Sequence, residues 1–379
     1  MVGFFANHDL RPNRIELARQ RVAQKEYIDL TSSNPTHQGL LFPPAILQEA
    51  AAPYWSNRQH TPDPRGLPMA RAAIAQYYAQ RTPPLMLDCD DIFITASTSE
   101  AYSLLFALLT EPGDNILAPD VSYPLFEYLA AMHHIELRSY TLDEQHGWQI
   151  DPSSLTTSVN ERTRAILIIS PHNPTGAIVH TPVETLSTTG LPVICDEVFA
   201  AFTYQRAHTP PLGTLHPDIP IFHLNGISKM FALPDLKLGW MGLNREAATQ
   251  YSARLELLND TLLGANALTQ HMLPTVFTEG MGFVDLMVQR VQANLDRALQ
   301  ILTQNEHVHI HPPDGGYYLF PKITNWYDEE ALVLHLLNHG VYVHPGYFYG
   351  YDQHVHIAIS CLVAPEQLTE GLQRLITTL

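Results

Sequence analysis

Short apolar runs of four or five residues recur through the middle of the chain, separated by longer stretches with helical spacing. The runs at 92–95, 115–118, 165–169, 192–195 and 221–224 are each bounded by Gly, Pro, Asn or Asp. This alternation predicts a mainly parallel sheet with crossover helices. Residues 246–277 keep a helical period over a length suited to bridging two domains. Beyond Gly282 come a long helical pattern, the segment Gly315-Gly316-Tyr317-Tyr318-Leu319-Phe320, another helix and a strand at 354–359. That succession predicts a smaller α+β terminal domain.

Length and composition narrow the class. A chain of 379 residues exceeds what one simple core serves, so two packed lobes are expected. With 21 basic against 38 acidic residues the formal charge is −17, which argues against nucleic acid or an anionic membrane as a partner. No window has the apolar length of a membrane span, and Met1-Val2-Gly3-Phe4-Phe5 is too short for a signal peptide before Asp9 and Arg11. Cys89, Cys195 and Cys361 are odd in number and scattered, which implies neither a disulfide framework nor a zinc site and makes the cytoplasm the expected compartment. His307, His309 and His311 alternate as on one strand face, yet no carboxylate or cysteine stands at ligand spacing beside them. A solvated face is the expectation there, and no metal.

Candidate chemistry sits where a parallel sheet binds ligands, just past the carboxyl ends of its strands. After Thr95 come Ser97, Thr98 and Ser99, small hydroxyl residues opening a helical run, which serve either as an ordinary N-cap or as an anion cradle. After Ile169 a turn presents the amide of Asn173, and after Cys195 stand Asp196 and Glu197. A carboxylate at the end of a buried strand needs a donor or a cation. Lys229 lies in the apolar run from Leu224 to Leu233. An ammonium in such a place must be paired, neutralised or used chemically, and a buried lysine is the usual Schiff-base nucleophile.

Asn173-Pro174-Thr175-Gly176, then Cys195-Asp196-Glu197-Val198, then Ser228-Lys229 with Leu238-Gly239-Trp240, resemble the class I and II pyridoxal-phosphate aminotransferases of fold type I. The 61–67 loop, Tyr123-Pro124 and His344-Pro345-Gly346 extend the resemblance over most of the chain. It implies a large domain with a mainly parallel, seven-stranded type of sheet at 46–277, a small α+β domain at 278–379, and an N-terminal arm at 1–45 that joins the small domain. It implies pyridoxal 5′-phosphate held by Lys229 as a Schiff base (the internal aldimine), and a homodimer. Asp196 would face the pyridine nitrogen, Asn173 the ring hydroxyl and Tyr123 the ring face, with Ser97, Thr98, Ser99 and Lys237 around the phosphate.

The chain also departs from that pattern. Lys237 stands where an arginine clamps the phosphate, Gly226 replaces a serine, and Phe199 replaces a tyrosine. His60 takes the place of a tyrosine given by the partner subunit. His356 occupies the place of the arginine that binds the substrate carboxylate, and Arg58, Arg65 and Lys322 are the other cations available for that task. The expected function is amino transfer between an amino acid or amine and a 2-oxo acid. A β-lyase or decarboxylase on the same fold, and a non-catalytic regulator, remain open at this stage because the orientation of the substrate is not fixed by sequence.

Overall fold

The computed structural model describes residues 10–22, 27–204 and 208–379. Its centre is a sheet of seven strands: β1 (Ile92–Thr95), β2 (Asn115–Pro119), β3 (Glu136–Tyr140), β4 (Thr163–Ile169), β5 (Val193–Asp196), β6 (Ile221–Gly226) and β7 (Gly239–Leu243). They lie in the order β1-β7-β6-β5-β4-β2-β3. β7 runs antiparallel to both neighbours, and every other pairing is parallel. The five expected strands all appear.

Two strands escaped the apolar pattern, each for a physical reason. β3 is the sheet edge, so its Glu-Leu-Arg-Ser-Tyr sequence is largely solvent-facing. β7 carries Gly239 and Gly242, which weaken a strand signal. A Cβ on Gly239 would come within 2.9 Å of the backbone of Ser97 and Thr98. The glycine lets β7 press against the turn that leaves β1.

The alternation of side chains along β4 divides the core. Ala165, Leu167 and Ile169 join Phe93, Phe106, Phe126 and Phe222 on one face, while Ile166 and Ile168 join Leu117, Trp148, Val193 and Ile221 on the other. The periodic stretch at 246–277 is two helices, Arg245–Thr261 and Ala267–Glu279. The break between them holds Leu263 and Gly264 at positive φ.

The C-terminal part packs the helices Met281–Leu302, Glu329–Asn338 and Pro365–Thr378 on a three-stranded antiparallel sheet of Tyr318–Leu319, Ile357–Ser360 and His344–Pro345. Its central strand begins at Ile357, so His354, Val355 and His356 of the expected 354–359 run precede it. The chain's N-terminal strand, Ile28–Asp29, pairs in parallel with Val341–Tyr342, and Ile15, Tyr27 and Leu30 share a core with Leu332, Leu336 and Leu372. His309 and His311 are exposed, as a solvated face would be.

Beneath the sheet's carboxyl edge lies a buried ion pair. Arg81, just past the helix Pro68–Ala79, reaches Glu197 at 2.6 Å and donates to the Thr209 carbonyl at 2.8 Å. The second Glu197 oxygen meets His223 Nδ1 at 3.1 Å. Burial alone would raise the Glu197 carboxyl, but Arg81 and His223 outweigh it and hold it at about 2. Cys195, Glu197 and His223 are close enough together for a metal, yet Arg81 already supplies the cation that Glu197 needs. Arg81→Met should therefore lower stability by about 3–5 kcal/mol, because it strands a buried carboxylate, while adding Glu197→Gln should restore most of the loss. Denaturant unfolding of the two single variants and the double variant checks this.

Candidate functional site

The ends of β1, β5 and β6 converge on one cleft of about 370 Å³. β1 hands over to the helix Thr98–Leu109 through Ser97, whose hydroxyl accepts from Glu100 N at 3.2 Å, while the Glu100 carboxylate accepts from Ala96 N. These two bonds fix the helix start and leave the amides of Thr98 and Ser99 without intrahelical partners. Three turns of helix behind them add a positive dipole end. Ser97, Thr98 and Ser99 all line the cleft, and so does Lys237. The backbone of Lys237 is left-handed, with φ of 47°, in the loop before β7.

Asp196 closes β5 and is 6% exposed. Its carboxylate accepts from Tyr102 Oη at 2.7 Å and Val198 N at 3.0 Å. Burial raises it to about 6: the two donors pull it down, the neighbouring Glu197 pushes it up, and the charge of Lys229 gives slight relief. Asn173 also lines the cleft, and its side-chain oxygen is buried without a partner. Tyr123, 45% exposed, stands at the rim.

Lys229 is half-buried rather than enclosed. It sits on the short helix Ile227–Met230, where Ile227 and Met230 face the core and Ser228 and Lys229 line the cleft. Its Nζ lies 6.0 Å from the Phe199 ring centroid and 5.9 Å from that of Tyr317, near the faces that attract a cation. Phe199 packs edge-on against Tyr317 at 4.8 Å and offers no hydroxyl. A Cβ at Gly226 would come within 2.9 Å of the Leu238 carbonyl, so the approach of β7 excludes the serine of the resembling pattern.

His60, expected to serve the partner subunit's cleft, and His356 both lie outside this one. His60 is exposed in a separate groove of about 630 Å³, together with Asp63, Asn266 and His271. His356 is 1% exposed and stacks on Phe320 at 4.7 Å, with Trp148 and Tyr351 edge-on to it. Its Nε2 is 3.5 Å from Glu144, which also takes Tyr351 Oη at 3.0 Å and Lys322 Nζ at 3.7 Å. These groups bind a C-terminal strand to the loop after β3, and His356 does not line the cleft. Arg65 is committed to Glu256 at 2.6 Å. No arginine is among the described residues that line the cleft.

Sequence reasoning missed Tyr102, Ser33 and Tyr318. Tyr102 had a signal: it follows Thr98 by one helical turn and so shares its face. Ser33 and Tyr318 reach the cleft from the two ends of the chain, and no local pattern announces that.

The chain matches the family model Aminotransferase class I and II over residues 25–375. It is similar to glutamate-pyruvate aminotransferase AlaA of Haemophilus influenzae, at 29% identity over 97% of this chain and 94% of that one. It is also similar to alanine aminotransferase of Mycobacterium tuberculosis, at 26% identity over 94% and 86%. Among solved structures, an aminotransferase from Escherichia coli superimposes with a TM-score of 0.88 at 26% identity, covering 100% of this chain and 97% of the other. Alanine aminotransferase from Pyrococcus furiosus gives 0.87 at 26% identity, covering 97% and 99%.

The buried carboxylate of Asp196 has a measurable cost in the cofactor-free protein. Its folded pKa of about 6 lies above the ordinary 3.8, so the penalty is absent below pH 4, grows between pH 4 and 6 and is complete above. Asp196→Asn should leave stability near wild type at pH 4 and raise it by about 2–3 kcal/mol at pH 8, as read by denaturant unfolding at both values.

Proposed function

This chain belongs to the class I and II aminotransferases, which depend on pyridoxal phosphate, and we propose that its cleft transfers an amino group between a small amino acid and a 2-oxo acid. The observation that carries this reading is the meeting, around Lys229, of a helix N-terminus, Lys237, Asn173 and Asp196 in one cleft. Three of these have something left over that the cofactor would satisfy: free amides and a cation for a phosphate, and a carboxylate whose charge awaits a protonated ring nitrogen.

When bound, pyridoxal phosphate supplies a carbonyl that captures amines and a ring that withdraws electrons from the substrate α-carbon. The chain's own groups do the rest. Lys229 Nζ is the covalent anchor and the base that carries the α-proton. Asp196 keeps the proton on the ring nitrogen, while Tyr102 and Val198 N–H hold its carboxylate in place. Asn173 would donate to the ring hydroxyl, and Tyr123 would offer its aromatic ring to the cofactor from the cleft rim. Ser97, Thr98, Ser99 and Lys237 hold the phosphate. With no arginine lining the cleft among the described residues, the substrate carboxylate meets neutral donors, of which Ser33, Tyr123 and Tyr318 are at hand.

Alanine, glutamate and pyruvate are the reactants we favour, because the relatives are named for them. We read the chain as a homodimer of the cytoplasm, with a large domain at 46–277, a small domain at 278–379 and an arm at 1–45. Exposed Leu263, which lines the His60 groove, and exposed Trp55 and Leu262, close in sequence to other residues lining it, support pairing with a second copy. Three free cysteines suit a reducing compartment, and no helix of the described residues is long and apolar enough to cross a membrane.

Absorbance of the protein mixed with pyridoxal phosphate and then alanine tests the reading. A Lys229-dependent band should form and give way to pyridoxamine phosphate with release of pyruvate; ammonia or carbon dioxide in place of that pair would assign the cleft to elimination or decarboxylation. Lys229→Ala should abolish the band. Lys237→Ala should keep it but weaken cofactor binding by about 1.5–3 kcal/mol, read as a dissociation constant raised roughly tenfold or more.

A further inference from the structure

His172 lies between two elements of the cleft, one residue before Asn173 and across from the segment that ends in Tyr123. It is 4% exposed and makes two side-chain hydrogen bonds. Nε2 is 2.9 Å from the Val121 carbonyl, and Nδ1 is 2.8 Å from Thr175 Oγ1. A carbonyl can only accept, so Nε2 carries a proton. Burial brings the ring down to about 4, with the Val121 bond working the other way, so at neutral pH the ring is uncharged and Nδ1 is bare. The Thr175 hydroxyl must then donate to Nδ1. One arrangement of protons satisfies all three groups.

The elements joined by this ring leave the paired strands β2 and β4, and beyond the strand ends each has backbone bonds of its own. The turn that presents Asn173 closes on itself through His172 N to the Ala177 carbonyl and Gly176 N to the His172 carbonyl, both at 2.8 Å. The segment before Tyr123 hangs on Asp120 N to the Tyr140 carbonyl and Ser122 N to the Tyr349 carbonyl, also both at 2.8 Å. Past those strand ends, the bond from His172 to the Val121 carbonyl joins one to the other. We propose that His172 is a positioning residue for the transfer reaction, a strut locked in one tautomer that fixes Asn173 and Tyr123 relative to each other across the cleft. The bland alternative, a core histidine that merely fills space, predicts a loss of stability and nothing else.

The proposal rests on the cofactor reading above, and its test separates the two. His172→Leu preserves much of the volume and removes both bonds. His172→Gln offers an amide nitrogen to Val121 and an amide oxygen to Thr175, since the two amide atoms stand about as far apart as the two ring nitrogens. Thr175→Val is nearly isosteric and removes the bond at Nδ1, leaving the ring held by Val121 alone, which answers the question should the leucine variant fail to fold. The readouts are the pH midpoint of the bound-cofactor absorbance, the cofactor dissociation constant, kcat against KM, and unfolding of the cofactor-free protein. With the strut gone, Asn173 no longer donates squarely to the ring hydroxyl. The midpoint should move to higher pH by about one unit, the dissociation constant should rise about tenfold and kcat should fall more than KM changes, for a loss of one charge-assisted bond. Thr175→Val should move them the same way by less, and His172→Gln should stay within about threefold of wild type.

A midpoint and dissociation constant unmoved in His172→Leu or, if that variant does not fold, in Thr175→Val would reduce His172 to a space-filling role. A folded His172→Gln as impaired as His172→Leu would also overturn the proposal. A wild-type protein with no Lys229-dependent band would overturn the cofactor reading and this proposal with it.

Discussion

A carboxylate at the end of a buried strand, supplied with neutral donors and almost no positive charge, is the constraint on which the cleft depends. Asp196 and Glu197 are consecutive, yet their surroundings are opposite. Glu197 points to Arg81 and His223 and is held at about 2, while Asp196 has a hydroxyl and a backbone N–H and rises to about 6. The period-two geometry of a strand makes this possible, because neighbouring side chains leave on opposite sides. The fold satisfies one carboxylate completely and leaves its neighbour short of a cation. A deficit of that kind is a binding energy held in reserve for a protonated ligand.

Lys229 follows a related logic. It was singled out as an ammonium in an apolar run, and that run does pack inward at Ile227, Met230 and Phe231. The lysine itself turns to the cleft, with rings of Phe199 and Tyr317 about 6 Å away. Aromatic faces hold a cation without neutralising it and without competing for its proton. An amine so placed has no salt bridge among the described residues to leave, which suits a group that must exchange partners.

Five of the seven sheet strands were legible because burial on both faces wrote continuous apolar runs into them. β3 and β7 were not, since an edge strand is wet and the strand pressed on a turn carries glycine at two of its five positions. The residues gathered by strand ends, from Ser97 to Lys237, were legible for the reason that parallel sheets concentrate ligand contacts there. His356 misled because a terminal-strand position says which face a side chain takes and not how far along the strand the cleft extends. In the fold it docks the C-terminal sheet against Glu144, Phe320 and Trp148. Arg81 and Glu197 lie 116 positions apart and Ser33 joins a cleft otherwise built far downstream, so their meetings belong to topology and no window of sequence contains them.

The pairing of Ile28–Asp29 with Val341–Tyr342 has a temporal side. The first strand of the protein is complete long before its partner exists, since Val341 emerges roughly 300 residues later. At synthesis rates of about 5–20 residues per second the N-terminal segment waits on the order of 15 to 60 s with its apolar side chains unclaimed. The seven-stranded sheet, lying wholly between the two, can form during that interval. Ser33, carried just behind the waiting strand, is then among the last groups to reach the cleft. Assembly of that kind would run from the middle of the chain outward, and the cleft would gain Ser33 only when Ile28–Asp29 meets Val341–Tyr342.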